Sequence, residues 1–263
     1  MKWGIVAGAR LGAEMEDSFR AAAEIGFDGL EIPFNQRDHE SELIWSPEGV
    51  QRLLRLSERY GLEMPSCIAG RFNFRNFPDD DPAVRAEAEE LLLTLIDRCA
   101  DAGIRRILVA FFGEQQIKTD EQLERVIEGV GRCAPKAESR GVTLALEGTV
   151  TAQSFLDIIE RIDSEAVGVY YDVGNAVWLG YDGPAELRAL ADAGVLAQIH
   201  VKDMTLEKKN VPPGEGDVDW DAVGDALAEI GWEDYLVLET PVPDEPLSGN
   251  AGYLAFLREK LER

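Results

Sequence analysis

Four apolar runs in the second half of the sequence lead into side chains that can bind a metal ion. Glu147, Asp172 and Glu239 close three of these runs, and His200 lies near the end of the fourth. Three carboxylates and an imidazole that converge are mutually repulsive unless a cation lies among them. A divalent metal is the simplest such cation. The mainly oxygen donor set favours Mn²⁺, Mg²⁺ or Co²⁺, with Zn²⁺ as an alternative.

These side chains converge only if the apolar runs are neighbouring strands of one sheet. The sequence alternates short apolar or β-branched runs with longer amphipathic stretches. The predicted strands are Trp3–Ala7, Gly29–Pro33, Leu62–Ile68, Arg106–Phe111, Val142–Glu147, Val167–Asp172, Leu196–Val201 and Tyr235–Glu239. The predicted helices lie near residues 14–25, 47–60, 82–102, 119–140, 151–163, 184–193, 219–230 and 249–261.

Eight strands joined through eight helices predict a parallel barrel. Strands connected by helices must run parallel, and eight such units close into a (β/α)8 TIM barrel. Ser46-Pro47 and Asp81-Pro82 are typical helix starts, and Gly26 and Gly141 are placed as helix terminators. No linker rich in Pro or Ser interrupts the pattern, so we expect an α/β protein with a single domain over residues 1–263. An open doubly wound sheet is the alternative, but the glycines after the first strand lack its fingerprint spacing.

The net charge of −24, from 50 acidic and 26 basic side chains, restricts the partners. Such a charge repels nucleic-acid phosphates and anionic lipid, so we expect no nucleic-acid and no membrane partner. No run approaches the ~20 apolar residues that cross a bilayer. The three cysteines are widely spaced, without a paired-ligand motif, which is typical of reduced thiols. A cytoplasmic location is therefore predicted.

Several motifs together resemble one enzyme superfamily over essentially the whole chain. They are Gly26–Glu31, Leu144–Glu147, Tyr171–Asn175, His200–Asp203, Leu238-Glu239 and Pro213–Trp220. At these residues the sequence resembles the xylose isomerase-like TIM barrels of sugar phosphate isomerases and epimerases. Within that superfamily the motifs are most similar to those of ketose and pentulose-phosphate 3-epimerases.

The resemblance implies one divalent metal, held by Glu147, Asp172, His200 and Glu239. It also implies that Glu147 and Glu239 act as the catalytic acid–base pair. Removal of a proton beside a ketose carbonyl gives an enediolate, whose charge a metal stabilises. A carboxylate on each face can remove the proton from one side and return it on the other. The implied function is a metal-dependent sugar or sugar-phosphate epimerase or isomerase, with a ketose 3-epimerase favoured.

The position three residues after Asp172 bears on the substrate. Several free-ketose epimerases of this superfamily have a substrate-contacting His there, whereas this sequence has Asn175. The difference favours a sugar phosphate over a free sugar. Gly214 and Gly216 could present backbone N–H groups to its phosphate, or could simply be loop glycines.

Three further residues are predicted to lie around the substrate. Lys202 lies on the same side of its strand as His200 and is predicted to play a supporting electrostatic role. Cys67 is predicted to line the pocket as a small apolar group, and Trp178 is a candidate for an apolar wall against the sugar. Superfamily members often form homodimers or homotetramers, but no stripe in this sequence indicates an interface.

Two other functions use the same barrel. A dehydratase or lyase of the inosose or dehydroshikimate type also begins with proton abstraction beside a carbonyl, but then loses water. A non-catalytic sugar-binding barrel would leave buried carboxylates without a role, which is energetically costly. A metal-dependent DNA repair nuclease is excluded, because the sequence has two histidines and a strongly acidic charge.

Overall fold

The computed structural model describes residues 1–262, and within them eight parallel strands form a closed barrel. The described residues contain ten strands, eight in the barrel and two in a separate hairpin. In chain order they are β1 (Lys2–Val6), β2 (Gly29–Pro33), β3 (Cys67–Ala69), β4 (Arg106–Phe111), β5 (Thr143–Gly148), β6 (Val167–Asp172), β7 (Leu196–Val201), β8 (Asp203–Met204), β9 (Asn210–Val211) and β10 (Tyr235–Leu238). The barrel order is β1-β10-β7-β6-β5-β4-β3-β2, and β8 pairs with β9 in a separate hairpin. The predicted (β/α)8 TIM barrel fold is confirmed.

The helices begin and end where local chemistry favours it. They are α1 (Met15–Ile25), α2 (Pro47–Tyr60), α3 (Pro82–Asp101), α4 (Asp120–Arg140), α5 (Ala152–Ile162), α6 (Val173–Leu179), α7 (Gly183–Asp192), α8 (Trp220–Glu229) and α9 (Pro246–Leu261). Short 3₁₀ turns cover His39–Ser41, Leu43–Trp45, Gly70–Asn73 and Gly113–Gln115. The Asp81 carboxylate accepts a hydrogen bond from the Ala83 N–H at 2.8 Å and starts α3. Helix α1 ends at Ile25, and the next residue, Gly26, caps it with a φ of 96°, which favours glycine.

Tertiary contacts divide the chain into two compact units, of which the first comprises Met1–Glu31, Leu56–Glu63 and the chain from Tyr171 onwards. In this unit β1 pairs with both β10 and β2, and β10 pairs with β7. The register places Val237 opposite His200. Trp3 is buried in the unit, and its indole N–H donates to Glu262 Oε1 at 2.6 Å.

The second unit comprises Ile32–Arg55 and Met64–Tyr170. Its strands pair in register, with Cys67 opposite Ile107 and Ala110 opposite Glu147. Strands β4 and β5 are buried along nearly their whole length, as expected for parallel strands covered on both faces. Buried, mainly apolar strand residues therefore surround the backbone that carries Glu147.

The structure differs from the predicted element boundaries at the third strand and in the rim loops. The predicted strand Leu62–Ile68 is shortened to β3, because Pro65 has no N–H for a sheet ladder; upstream, Glu63 makes one isolated bridge to Gly29. Helix α6 and the β8–β9 hairpin were not predicted. No helix within residues 1–262 is long and apolar enough to cross a membrane. The assignment of residues 1–263 to one domain stays a prediction.

Candidate metal centre and active site

Consecutive strands deliver the predicted ligands at or next to their C-terminal ends. Glu147 is the penultimate residue of β5, Asp172 ends β6, His200 precedes the last residue of β7, and Glu239 directly follows β10. Asp172 also starts a helix, because its Oδ1 accepts a hydrogen bond from the Asn175 N–H at 2.8 Å. The abrupt strand-to-helix turn holds this carboxylate in a fixed orientation.

Three of the four predicted ligands form a compact donor group. One ligand atom each from Glu147, Asp172 and His200 lies within 4.8 Å of the others, and all three residues are buried. The fourth, Glu239, places Oε2 3.6 Å from His200 Nδ1. Two buried carboxylates and one imidazole form a donor set that suits a divalent metal ion. The residues present therefore fit the implied cofactor, and the identity of the ion stays a prediction.

The orientation of His200 follows from its two ring nitrogens. His200 Nε2 lies 2.8 Å from Glu31 Oε2, and both side chains are fully buried. A carboxylate accepts only, so Nε2 carries the proton and donates it to Glu31. His200 Nδ1 faces the other carboxylates, 3.6 Å from Glu239 Oε2 and 3.9 Å from Asp172 Oδ2. Hydrogen bonding of the distal nitrogen to a carboxylate is the usual way of fixing a metal-binding imidazole.

Lys202 balances the negative charge of two predicted ligands. Its Nζ lies 2.8 Å from both Asp172 Oδ2 and Glu239 Oε2. Burial raises the pKa of Asp172, although the charge of Lys202 favours its ionised form. Burial also opposes ionisation of Glu239, but the charge and the hydrogen bond of Lys202 outweigh it and lower the pKa of Glu239 to about 2. Glu239 is therefore ionised at neutral pH, and a quarter of its side chain is exposed.

A glycine lets helix α6 pass close to this lysine. A Cβ built on Gly174 would lie 2.6 Å from Lys202 Cγ and 2.7 Å from the Lys202 carbonyl oxygen. Any larger residue would displace the strand end that carries Lys202. The glycine of the Asp-Val-Gly-Asn motif thus has a packing role beside the candidate site.

The predicted substrate-binding residues Asn175 and Trp178 lie together on α6. The Trp178 indole N–H donates to Asn175 Oδ1 at 3.1 Å. Lys208 Nζ, from the β8–β9 hairpin, lies 3.9 Å from the centroid of the Trp178 ring. The hairpin is thereby attached to α6, which begins at Asp172. Contact of Asn175 and Trp178 with substrate stays a prediction.

The structure assigns the Gly214 and Gly216 N–H groups to a protein carboxylate. Both donate to Asp203 Oδ2, at 2.8 and 3.1 Å. The same buried Asp203 accepts from the Val218 N–H and the Trp220 indole N–H. Both donors thus have a protein acceptor in this structure, and contact of Gly214 and Gly216 with a phosphate stays a prediction. Cys67 is buried in β3, and its contact with substrate stays a prediction.

Comparison with known proteins identifies the family. The xylose isomerase-like TIM barrel family model matches residues 19–260. The chain belongs to this family. The L-ribulose-5-phosphate 3-epimerase UlaE of Escherichia coli strain SE11 is 29% identical over 230 residues, which cover 82% of this chain and 78% of the relative. UlaE of Salmonella heidelberg strain SL476 is 30% identical over 225 residues, covering 80% and 76%.

A solved structure of similar fold is that of the D-psicose 3-epimerase of Clostridium cellulolyticum H10, crystallised with D-tagatose. It superimposes with a TM-score of 0.79, covers 99% of both chains and is 21% identical. At this identity the likeness supports the fold alone. Sequence reasoning did not single out Arg10, which lies in the loop after β1 and donates to the carbonyl oxygen of Leu238, the residue before Glu239. Its signal is an arginine between two glycines, directly after a strand of a strongly acidic chain.

Proposed function

We propose that this protein is a metal-dependent ketose or ketose-phosphate 3-epimerase. The observation that carries the proposal is the buried donor group of Glu147, Asp172 and His200. Glu239 lies next to His200 and completes the proposed ligand set. The relatives support the reaction type, because those described above are 3-epimerases of L-ribulose 5-phosphate.

In this proposal Glu147 and Glu239 move the proton at the carbon beside the carbonyl. Glu239 is ionised and partly exposed, so it can accept a proton from substrate. Glu147 would return a proton to the opposite face, which inverts the configuration. Lys202 holds Glu239 and Asp172 in place and disfavours their protonation. When bound, the divalent metal would stabilise the negative charge that develops on the carbonyl oxygen.

The proposal also covers the metal ion, the cellular location and the oligomeric state. We infer Mn²⁺, Mg²⁺ or Co²⁺ as the ion, with Zn²⁺ as the alternative, because oxygen donors predominate. A cytoplasmic location is supported by three buried thiols without disulfide spacing. A homodimer or homotetramer is proposed from the family resemblance.

Deuterium exchange tests the reaction directly. The purified protein, loaded with Mn²⁺, is incubated in D₂O with a panel of ketoses and their phosphates, and NMR follows label and product. We expect deuterium at C3 together with the C3 epimer. Glu147→Gln and Glu239→Gln should each lower exchange at least about 100-fold, as expected for loss of a general acid or base.

An exposed glutamate provides the matched control. Glu124 pairs with Arg161 at the surface, so Glu124→Gln changes the same functional group and should leave exchange unchanged. Substantial exchange in both active-site variants would contradict the assigned roles. An alkene signal would indicate the dehydratase instead, and binding of sugar without exchange would indicate a non-catalytic barrel.

A further inference from the structure

Arg10 lies in the loop between β1 and α1, and hydrogen bonds fix its backbone there. It has no part in the proposed metal site or in the proposed proton transfer. The turn that carries it is closed by a hydrogen bond from the Leu11 N–H to the Gly8 carbonyl oxygen at 2.8 Å. The Arg10 carbonyl oxygen accepts a hydrogen bond from Nδ2 of the buried Asn250, also at 2.8 Å. The backbone of Arg10 is therefore held from two sides, which limits where its side chain can reach.

The Arg10 guanidinium lies beside the candidate active site. It donates from Nη1 to the carbonyl oxygen of Leu238, at the long distance of 3.5 Å. Leu238 is the residue directly before Glu239. The charges of Glu239 and Glu31 act on Arg10 and favour its protonated form, whereas burial lowers the pKa of Arg10. An arginine keeps its charge in proteins nevertheless, so the site contains a partly desolvated cation.

This cation has unused hydrogen-bond donors. A guanidinium has five N–H groups in a planar fork. Arg10 uses one of them, in the long contact with Leu238, and forms no ion pair with any of residues 1–262. The buried Arg71, by contrast, pairs with Glu87 at 3.0 Å. Glu239 and Glu31 act on Arg10 only from beyond ion-pair distance, so its free N–H groups are well suited to an anionic group of a ligand.

Two other cations near the candidate site are already engaged. Lys202 lies between Asp172 and Glu239, and Lys208 lies over the ring of Trp178. The backbone donors of Gly214 and Gly216 are occupied by Asp203. These groups leave Arg10 as the best-placed donor for an anion near Glu239.

We propose that Arg10 binds the phosphate of a phosphorylated ketose and determines the preference for a sugar phosphate over the free sugar. This inference rests on the proposed function. In a ketopentose 5-phosphate, C5 is two carbon–carbon bonds from C3, and the phosphate is attached to the oxygen of C5. When C3 reacts at Glu239, the phosphate is therefore also close to Glu239. The planar fork of Arg10 matches two phosphate oxygens at once.

Binding of an unreactive analogue tests Arg10 without requiring turnover. A pentitol 5-phosphate has no carbonyl and cannot be epimerised, and the free pentitol is its counterpart without phosphate. Calorimetry with Mn²⁺-loaded protein should show tighter binding of the phosphate. Arg10→Gln should weaken binding of the pentitol phosphate about 30-fold or more, and change pentitol binding less than about twofold. Arg10→Lys should retain part of the affinity, because lysine keeps the charge but loses the fork.

Arg20→Gln is the matched control, since Arg20 pairs with Asp17 on the exposed side of α1. It removes the same charge and should leave both affinities unchanged. Equal losses for the two ligands in Arg10→Gln, or no preference for the phosphate in the wild type, would overturn the proposal. If Arg10→Gln does not fold, Arg10→Lys is used instead. A selective loss of affinity for the pentitol phosphate then supports the proposal, and equal losses for the two ligands overturn it.

Kinetics separate this proposal from the proposed function. If the wild type exchanges deuterium into ketoses but Arg10→Gln lowers kcat/KM equally for free and phosphorylated substrates, the role of Arg10 is wrong and the function stands. If no sugar exchanges deuterium, while the variant still loses pentitol phosphate binding selectively, the proposed reaction is wrong and the anion site stands.

Discussion

His200 faces two different carboxylate environments through its two ring nitrogens. Glu31 accepts from the Nε2 side, whereas Glu239 and Asp172 lie on the Nδ1 side. Glu31 would therefore act on a bound metal through His200, by fixing the ring and its tautomer. Lys202 has a comparable effect on the carboxylates, which it holds together by ion pairs. The donor geometry thus depends on residues that need not contact substrate.

We predict that Glu31→Gln weakens metal binding by about 10–100-fold and leaves the fold intact. A glutamine can still accept from Nε2, but it lacks the negative charge that makes the imidazole a better donor. Calorimetric titration with Mn²⁺ measures the affinity without any substrate. Glu63→Gln removes an exposed carboxylate that pairs with Lys2 and should leave the affinity unchanged. Equal affinities of Glu31→Gln and the wild type would contradict the positioning role.

For single residues, the sequence predicted which side chains could bind a metal. It did not predict which side chains contact each other. The polar residues at four strand ends predicted the ligands, and the structure brings Glu147, Asp172 and His200 together. The pairing of Glu31 with His200 joins positions 169 residues apart. Such a contact depends on strand register and side-chain orientation, which a local pattern does not encode.

At the scale of elements, the loop between β7 and α8 is organised around one buried carboxylate. Asp203 accepts hydrogen bonds from three backbone N–H groups of this loop and from the indole of Trp220. A Cβ built on Gly216 would lie 2.2 Å from Asp203 Oδ1, so a glycine is required there. Sequence reasoning noted Gly214 and Gly216 and left open whether they bind a phosphate, but it did not find Asp203 as an acceptor, because the fold that brings Asp203 to these donors is not local.

We predict that Asp203→Ala destabilises the protein by about 3 kcal/mol or more. The substitution leaves several buried N–H donors without an acceptor, and each costs about 1–3 kcal/mol. Urea unfolding measures the loss, and proteolytic cleavage within residues 205–219 should become faster. Asp217→Ala is the control from the same loop, because Asp217 is exposed and accepts one bond from the Leu206 N–H. A loss as small as that of Asp217→Ala would show that Asp203 does not organise the loop.

At the scale of the whole molecule, the alternation of strands and helices was sufficient to predict the closed barrel. Each strand needs a helix to return the chain in parallel, and closure leaves no strand edge in the barrel. The pattern did not predict where extra elements interrupt it. Helix α6 is seven residues long and the strands of the hairpin two each, too short to show a reliable period.

The assignment of residues 1–263 to one domain can be tested with probes that differ between the two compact units. Cys67, Cys99 and Cys133 all lie in the second unit, whereas four of the five tryptophans lie in the first. All three thiols are buried, and burial raises the pKa of Cys133 to about 12. At pH 8 only about one Cys133 in 10⁴ would be ionised, so iodoacetamide should not label it in the folded protein.

In a urea series, we expect thiol labelling and the change in tryptophan fluorescence to share one midpoint, because a single domain unfolds cooperatively. The metal-free protein is used, so that ligand binding does not stabilise one unit selectively. Trp45→Phe removes the tryptophan of the second unit, so the fluorescence then reports on the first unit alone. Labelling that is complete well before the fluorescence of this variant changes would show two independently unfolding parts, and the single-domain assignment would be wrong.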